Sequence, residues 1–279
     1  MKTTIYTSQH QRSNLLFSLS EIFKELKRSR FVFWHLFKRD FESQYRQKLL
    51  GYFWIVASPL LSILPFVFLN RFGLFNPGET SLPYPVFLIL GLGIWGFLIS
   101  AFTVVSTGLQ NNQDLVLRTN IPRITFAVTG LATVCFNLLV HFGTVFFVLL
   151  IFGIPIHPNL IFYPILILPI ILFGVGLGLM FSVMGTVAKD ISTFVLSGLN
   201  LLMFLTPVVY RPVFGNQILN QILSLNPFTY LVSVPRHYAA TGLFTDLFQY
   251  SISLLLALVV LAFGIHSFYL INDKVTERL

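Results

Sequence analysis

The chain has 279 residues, of which 55% are hydrophobic and only 10% are charged, and its mean hydropathy is +0.80. An ordinary soluble domain carries roughly 25% charged residues, so this composition excludes a soluble protein and indicates an integral membrane protein. The net charge of +8 would suggest nucleic acid on a soluble surface, but ten of the 18 Lys and Arg residues lie before Gly51, beside the first apolar run. We therefore expect contact with lipid and no nucleic-acid partner.

The first predicted element is a basic amphipathic helix within an N-terminal region, residues 1–50. Between Glu21 and Gln47 apolar residues recur at helical intervals, and Phe33, Phe37 and Phe41 are each four apart with basic residues between them. Basic helices with one aromatic face lie in the headgroup plane of a membrane. The pattern therefore predicts an interface helix on the membrane surface, although packing on a soluble partner is an alternative.

The sequence predicts an all-α integral membrane domain over residues 51–272. A helix needs about 20 predominantly apolar residues to cross a bilayer. Six runs meet this requirement closely enough to be predicted as transmembrane helices: Tyr52–Asn70, Pro85–Gly108, Ile124–Gly153, Leu160–Val187, Phe194–Tyr210 and Leu247–Ile271.

The distribution of basic residues predicts the orientation of these six helices. With the N-terminus in the cytoplasm, fifteen Lys and Arg residues fall on the inner side and only Arg71, Arg211 and Arg236 on the outer side. Cytoplasmic loops of membrane proteins carry an excess of Lys and Arg. We therefore expect both termini, including the tail 273–279, in the cytoplasm.

The segment between the fifth and sixth predicted spans is not a simple loop. From Arg211 to Asp246, short apolar stretches are interrupted by Pro212, Asn226-Pro227 and Pro235, and none is long enough to cross the bilayer. Irregular backbone at membrane depth requires cover from protein or from a water-filled cavity. The segment is predicted to be a re-entrant gate, with an external loop on the lipid surface as the alternative.

Motifs of catalysis are absent from the sequence. It contains no Walker-type phosphate loop, and the Gly91-Leu-Gly-Ile-Trp-Gly96 match to a dinucleotide motif lies inside an apolar span, where glycines serve helix packing. Every Asp and Glu falls outside the predicted spans. His141, which lies inside the third span, is expected to be a neutral histidine that is hydrogen-bonded between helices. A secondary transporter such as an ion-coupled flippase, or a membrane-bound glycosyl- or acyltransferase, is therefore a weaker hypothesis.

Aromatic residues dominate the predicted spans, and a minority of them could line a conduit, where flat rings would stack on sugars. The candidates are Phe53, Trp54, Trp95, Phe97 and Phe204.

Several stretches in succession resemble one family, the membrane subunits of type-2 ABC exporters, in particular the branch that exports O-antigen, capsule or teichoic-acid polysaccharides. They are KRDFESQYRQKLLGYFWIVASPLL, GLGIWGF, QNNQDLVLRTNIPR, VAKDIST, TPVVY and LNPFTYLVSVPRHYAATG. An ABC-2 exporter of lipids or drug-like molecules is the alternative within the same family.

The resemblance implies a permease of the bacterial cytoplasmic membrane without ATPase activity of its own. Two copies would form a channel for a (lipid-linked) polysaccharide, and two separate ATPase subunits would bind ATP and Mg. Residues 21–48 would form the interface helix, and the loop 110–123 the coupling helix. The implied coupling residues are Asp114, Arg118, Arg123, Arg39, Asp40, Arg46 and Lys48. Lys189 and Asp190 match an inner-loop position, and the implied outer gate contains Asn226, Pro227, Tyr230, Arg236 and Tyr238.

Overall fold

The computed structural model of the chain describes residues 24–46, 53–78, 80–119, 121–188, 190–211 and 217–276. Every regular element within these ranges is a helix. In chain order the α-helices are α1 (Arg30–Arg46), α2 (Phe53–Arg71), α3 (Tyr84–Asn111), α4 (Gln113–Arg118), α5 (Arg123–Val128), α6 (Leu131–Ile151), α7 (Tyr163–Val187), α8 (Asp190–Phe204), α9 (Gln217–Leu225), α10 (Pro227–Thr241) and α11 (Leu247–Thr276). A 3₁₀ turn, Pro158–Phe162, precedes α7.

Within the described ranges, four helical stretches are long and apolar enough to cross a membrane. They are Tyr84–Asn111, Arg123–Ile151, Pro158–Thr186 and Leu247–Ile271. These match the second, third, fourth and sixth predicted spans, so the all-helical membrane fold is confirmed. The first and fifth predicted spans correspond to the shorter helices α2 and α8, of 19 and 15 residues. A total of six crossings stays a prediction.

The centre of the bundle is formed by α7 packed between α3 and α11. On the α3 side, a Cβ added at Gly174 would lie 2.7 Å from the Leu98 carbonyl oxygen, and one added at Gly178 would lie 2.7 Å from Val105 Cβ. On the other side, Gly176 lies against Gly264 of α11. Small residues allow such close approach, which is how van der Waals packing holds helices together in lipid.

The bundle has two distinct ends, which we name by what lies there. The arm end holds α1, α4, α5 and the last turns of α11, and Gln110 of α3 donates a hydrogen bond there to the Gly185 carbonyl of α7. The hairpin end holds the start of α3, residues 205–211 and the helical hairpin formed by α9 and α10. There the Arg211 amide donates to the Pro77 carbonyl at 2.8 Å.

Candidate transport site

Helix α1 is fixed to the end of α3 by Arg39. Its Nη2 donates to the Asn112 side-chain oxygen at 2.6 Å and to Asp40 Oδ1 at 2.7 Å. Asn112 is the single residue between α3 and α4, and its own amide donates to the Gly108 carbonyl at 2.9 Å. A displacement of α1 would therefore act directly on the junction of α3 and α4.

Two further contacts attach the N-terminal arm, residues 24–46, to the bundle. The hydroxyl groups of Ser29 and Thr125 are buried and lie 2.8 Å apart, which joins the arm to α5. The Tyr269 hydroxyl donates to Glu25 Oε2 at 2.8 Å, which joins the arm to α11. The arm thus contacts both α5, where the third predicted span begins, and the end of the last helix, α11.

The aromatic residues Phe33, Phe37 and Phe41 of α1 pack partly on the protein itself. Their contact with lipid stays a prediction. Phe33 lies against the core, and the Phe41 ring meets the Phe136 ring of α6 edge-on at 4.8 Å between centroids. The large apolar side chains that α1 exposes are instead Phe31 and Trp34, 69% and 60% accessible. Phe33, Phe37 and Phe41 are half-buried, and Phe41 has an aromatic partner on α6 that sequence spacing does not reveal.

The predicted coupling and inner-loop residues differ in how exposed the structure leaves them. Asp114 and Arg118 are exposed on α4, and Arg123 begins α5 and is half-buried. Asp190 is exposed at the start of α8, and Arg46 is the last residue of α1. Lys48 and Lys189 lie outside the described residues.

A cavity of about 750 Å³ lies between α2, α3 and α6, with Met203 of α8 at its edge. Three of the predicted conduit aromatics, Trp54, Trp95 and Phe97, line it. Phe53 and Phe204 do not belong to this cavity and are exposed on the surface of the described chain.

The cavity also has a polar wall, of which sequence reasoning singled out only His141. Its members are Ser58, Ser62, Ser100, Thr103, Asn137, His141 and Thr144. They recur every three or four residues on each helix, so a search for polar residues at helical spacing inside apolar runs could have found them.

His141 belongs to this wall and is hydrogen-bonded between helices, as predicted. Its Nε2 lies 3.1 Å from the hydroxyl of Tyr163 on α7, and its ring meets Phe97 edge-on at 5.4 Å. The ring also lies directly on Gly93, where no larger residue would fit. Gly93 therefore serves helix packing, as predicted for this motif.

At the hairpin end, Asn226 separates α9 from α10 and binds the chain that follows α8. Its side-chain oxygen caps α10 by accepting from the Phe228 amide at 3.0 Å. Its amide group donates to the Leu205 carbonyl at 3.2 Å and to Thr206 Oγ1 at 3.0 Å. Pro227 occupies the first turn of α10, where its missing N–H costs nothing.

Arg236 of α10 is buried, with 6% of its surface accessible. Its Nη1 donates to the Val208 carbonyl and its Nη2 to the Pro207 carbonyl, both at 2.9 Å. The guanidinium carbon lies 3.7 Å from the centroid of the Phe87 ring of α3. Burial lowers the pKa of Arg236 to about 9, so the side chain still carries its charge at neutral pH.

The two predicted gate tyrosines have local roles. The Tyr230 hydroxyl donates to the Ser224 carbonyl of α9 at 2.8 Å, which braces the hairpin. Tyr238 is buried and its ring lies 4.5 Å from that of Phe244. A residue that the sequence did not single out, Tyr84 at the start of α3, donates to the Val209 carbonyl at 3.1 Å.

Long apolar helices, a basic arm bound to them and an aromatic cavity among them define a multi-pass membrane protein of the transport class. Residues 32–239 match the family model described as ABC-2 type transporter, and the chain belongs to that family. Two O-antigen export system permease proteins, both RfbA of Klebsiella pneumoniae, are 24% and 23% identical to it over 198 residues. Each alignment covers 70% of this chain and 74% of the relative.

Proposed function

We propose that this chain is the membrane-spanning permease of an ATP-driven exporter in the bacterial cytoplasmic membrane, and that its cargo is a polysaccharide of the O-antigen type. The observation that carries the proposal is the similarity, over 70% of the chain, to two permeases named for O-antigen export. ATP and Mg would bind a separate ATPase subunit, and this chain would not hydrolyse ATP. Two permease copies and two ATPase copies would complete the transporter, with both permease termini in the cytoplasm.

The arm end is proposed to receive the ATPase. Asp114 and Arg118 are exposed there on α4, and the Arg39–Asn112 bond attaches α1 to the same junction. A subunit that pressed on α4 or α1 would displace the end of α3. Discrete rigid-body shifts of this kind are a common way to couple a nucleotide cycle to a distant site.

The cavity is proposed to form part of the path of the polysaccharide. A sugar ring has apolar faces and a rim of hydroxyl groups. The cavity offers aromatic rings for the faces and polar side chains for the hydroxyl groups. The rings of Trp54, Trp95 and Phe97 offer apolar surface. The Ser, Thr, Asn and His side chains of the polar wall offer hydrogen-bond partners.

The docking proposal is tested by copurification with the ATPase subunit of a polysaccharide exporter from the same bacterium. The two wild-type subunits should form a stable complex, and Arg118→Glu should abolish it because it reverses an exposed charge on α4. Arg71→Glu, a matched reversal at the exposed end of α2, should leave the complex intact. A complex that survives Arg118→Glu would contradict the docking surface.

The cargo is tested in the host bacterium by deleting this gene and measuring surface polysaccharide. The polymer should disappear from the surface and accumulate inside the cell, and the wild-type gene should restore export. Normal surface polymer in the deletion strain would contradict the assignment, and a lipid or drug exporter would then be the better hypothesis.

A further inference from the structure

The walls of the cavity between α2, α3 and α6 are polar without being charged. Among the described residues that line it, none is Lys, Arg, Asp or Glu, and apart from the indole rings the polar side chains are hydroxyl groups, one amide and one imidazole. The imidazole, that of His141, already shares a hydrogen bond with the Tyr163 hydroxyl at 3.1 Å. A charged group that entered this space would lose hydration without gaining a counter-ion.

Two of the wall hydroxyl groups have already donated their single proton to their own helix. Ser62 Oγ donates to the Pro59 carbonyl at 2.7 Å, and Thr144 Oγ1 donates to the Val140 carbonyl at 3.0 Å. Because a hydroxyl group has one proton and two lone pairs, these side chains can offer a ligand only acceptors. An acceptor binds the O–H group of a sugar, whereas it repels an ionised carboxylate or phosphate, which can only accept as well.

The two acceptors belong to different walls of the cavity. Ser62 lies on α2 and Thr144 on α6, and both line the same space as the rings of Trp54 and Trp95. An uncharged sugar could therefore place its apolar faces against the rings and donate its hydroxyl groups to both walls.

We propose that the cavity selects uncharged sugars, and that Ser62 and Thr144 are specificity-determining residues because their hydroxyl groups accept hydrogen bonds from the cargo. The inference rests on the proposed function and narrows its cargo. A polysaccharide of neutral sugars is exported, and a polymer that carries a carboxylate or a phosphate on each repeat is rejected. Teichoic acid, whose units are joined by phosphodiesters, belongs to the rejected class.

The first test is the composition of the surface polymer that a strain without this gene no longer exports. Analysis of that polymer should find neutral sugars without uronic acids or phosphate. A polyanionic polymer would overturn the inference and leave the permease assignment intact. Unchanged surface polymer in the deletion strain would contradict the proposed function instead, so the two failures are distinguishable.

The second test measures binding by the tryptophan fluorescence of the purified full-length permease. The chain has three tryptophans, and Trp34 is exposed on α1 outside the cavity. In a Trp34→Phe background the signal therefore comes only from Trp54 and Trp95, which both line the cavity.

The probes are oligosaccharides cut from the exported polymer and the same oligosaccharides after oxidation of their primary alcohols to carboxylates. The neutral probe should change the fluorescence, and the oxidised probe should bind at least about 10-fold more weakly because its charges have no partner. Equal or tighter binding of the oxidised probe, or no binding of the neutral one, would overturn the inference.

Ser62→Lys replaces an acceptor with a cation and should reverse the preference in favour of the oxidised probe. Leu61→Lys adds the same charge at the neighbouring residue of α2, which is exposed but does not line this cavity, and should keep the wild-type preference. If Ser62→Lys does not fold, Ser58→Lys, four residues earlier on the same wall, decides by the same measurement. An unchanged preference in the lysine variant of the wall would contradict selection by charge.

Thr144→Val removes the second acceptor while keeping the shape of the side chain, and it should weaken binding of the neutral probe by about 2–10-fold. Thr129→Val is the matched control. Thr129 is also buried and donates to the carbonyl four residues earlier, that of Thr125, but it does not line the cavity. Equal affinities of the two variants for the neutral probe would overturn the role of Thr144.

Discussion

Arg39 joins the arm to the membrane domain, and we expect its loss to affect transport more than stability. Its side chain is half exposed, and exposed ion pairs contribute at most about 1 kcal/mol. Arg39→Ala should therefore change the unfolding temperature little, yet lower ATP-driven export several-fold because the bond to Asn112 is lost. Lys38→Ala removes the neighbouring basic residue, which is also exposed, and should export normally. Equal export by the two variants would argue against a coupling role.

Tyr163 and His141 form a hydrogen bond whose removal should be measurable. Tyr163→Phe leaves the buried His141 ring without this partner, at a cost of about 1 kcal/mol. For a protein of this size the thermal midpoint in detergent should fall by about 2–4 °C. Tyr230→Phe removes a hydroxyl that is bonded at an exposed site and should have a smaller effect. Equal shifts would mean that burial of the His141 pair contributes nothing.

Sequence reasoning identified individual residues better than it identified their partners. His141 was expected to bond between helices, but Tyr163 is 22 positions away on another helix, so spacing could not name it. Asn226-Pro227 was predicted to interrupt the apolar stretches, and it lies between α9 and α10, where Asn226 caps α10. The two carbonyls bound by Arg236 were not predictable, because every residue has a carbonyl and only the fold selects these two.

The close contact of α3 with α7 predicts that replacing Gly174 lowers the stability of the bundle. Gly174→Ala places a methyl group 2.7 Å from the Leu98 carbonyl oxygen, so the helices must separate, and we expect a loss of about 1–3 kcal/mol. Gly143→Ala in α6 is the matched control, since nothing lies within 4 Å of its added Cβ. The control should be neutral or slightly stabilising, because alanine favours a helix more than glycine does. Thermal unfolding of both variants in the same detergent measures the difference.

The observed helix ends show that hydropathy alone does not predict helix boundaries. The fifth span was predicted as 194–210, but α8 runs from Asp190 and ends at Phe204. Pro207 explains the early end, because it lacks an N–H and disfavours helical backbone in the residue before it. Pro59 and Pro65, in contrast, lie inside a continuous α2. Apolar composition thus predicts that α8 exists, but Pro207 determines where it ends. Because Pro59 and Pro65 do not end α2, the effect of a proline on a helix depends on its surroundings.

Across the whole molecule, α3 is the element that contacts both candidate functional regions. It has 28 residues and is about 42 Å long. At one end Tyr84 and Gly91 contact the chain at residues 208–209, and the Phe87 ring contacts the guanidinium of Arg236. At the other end the chain passes through Asn112, which binds Arg39 of the arm. One helix could therefore carry a shift from the arm end to the hairpin end without any intermediate element.

The orientation of the molecule follows from its charge and can be tested at both ends. Fifteen of the 18 Lys and Arg residues are predicted on the side of the arm, so we expect the arm end in the cytoplasm and the hairpin end outside. In a background in which Cys135, exposed and the only cysteine, is replaced by Ala, Ser81→Cys should react with a membrane-impermeant maleimide in intact spheroplasts. Gln113 in α4 is also exposed in the isolated chain, and Gln113→Cys should react only after the membrane is permeabilised. The reverse labelling pattern would place α4 outside the cell, where no cytoplasmic ATPase could reach it, and would contradict the orientation and the docking surface together.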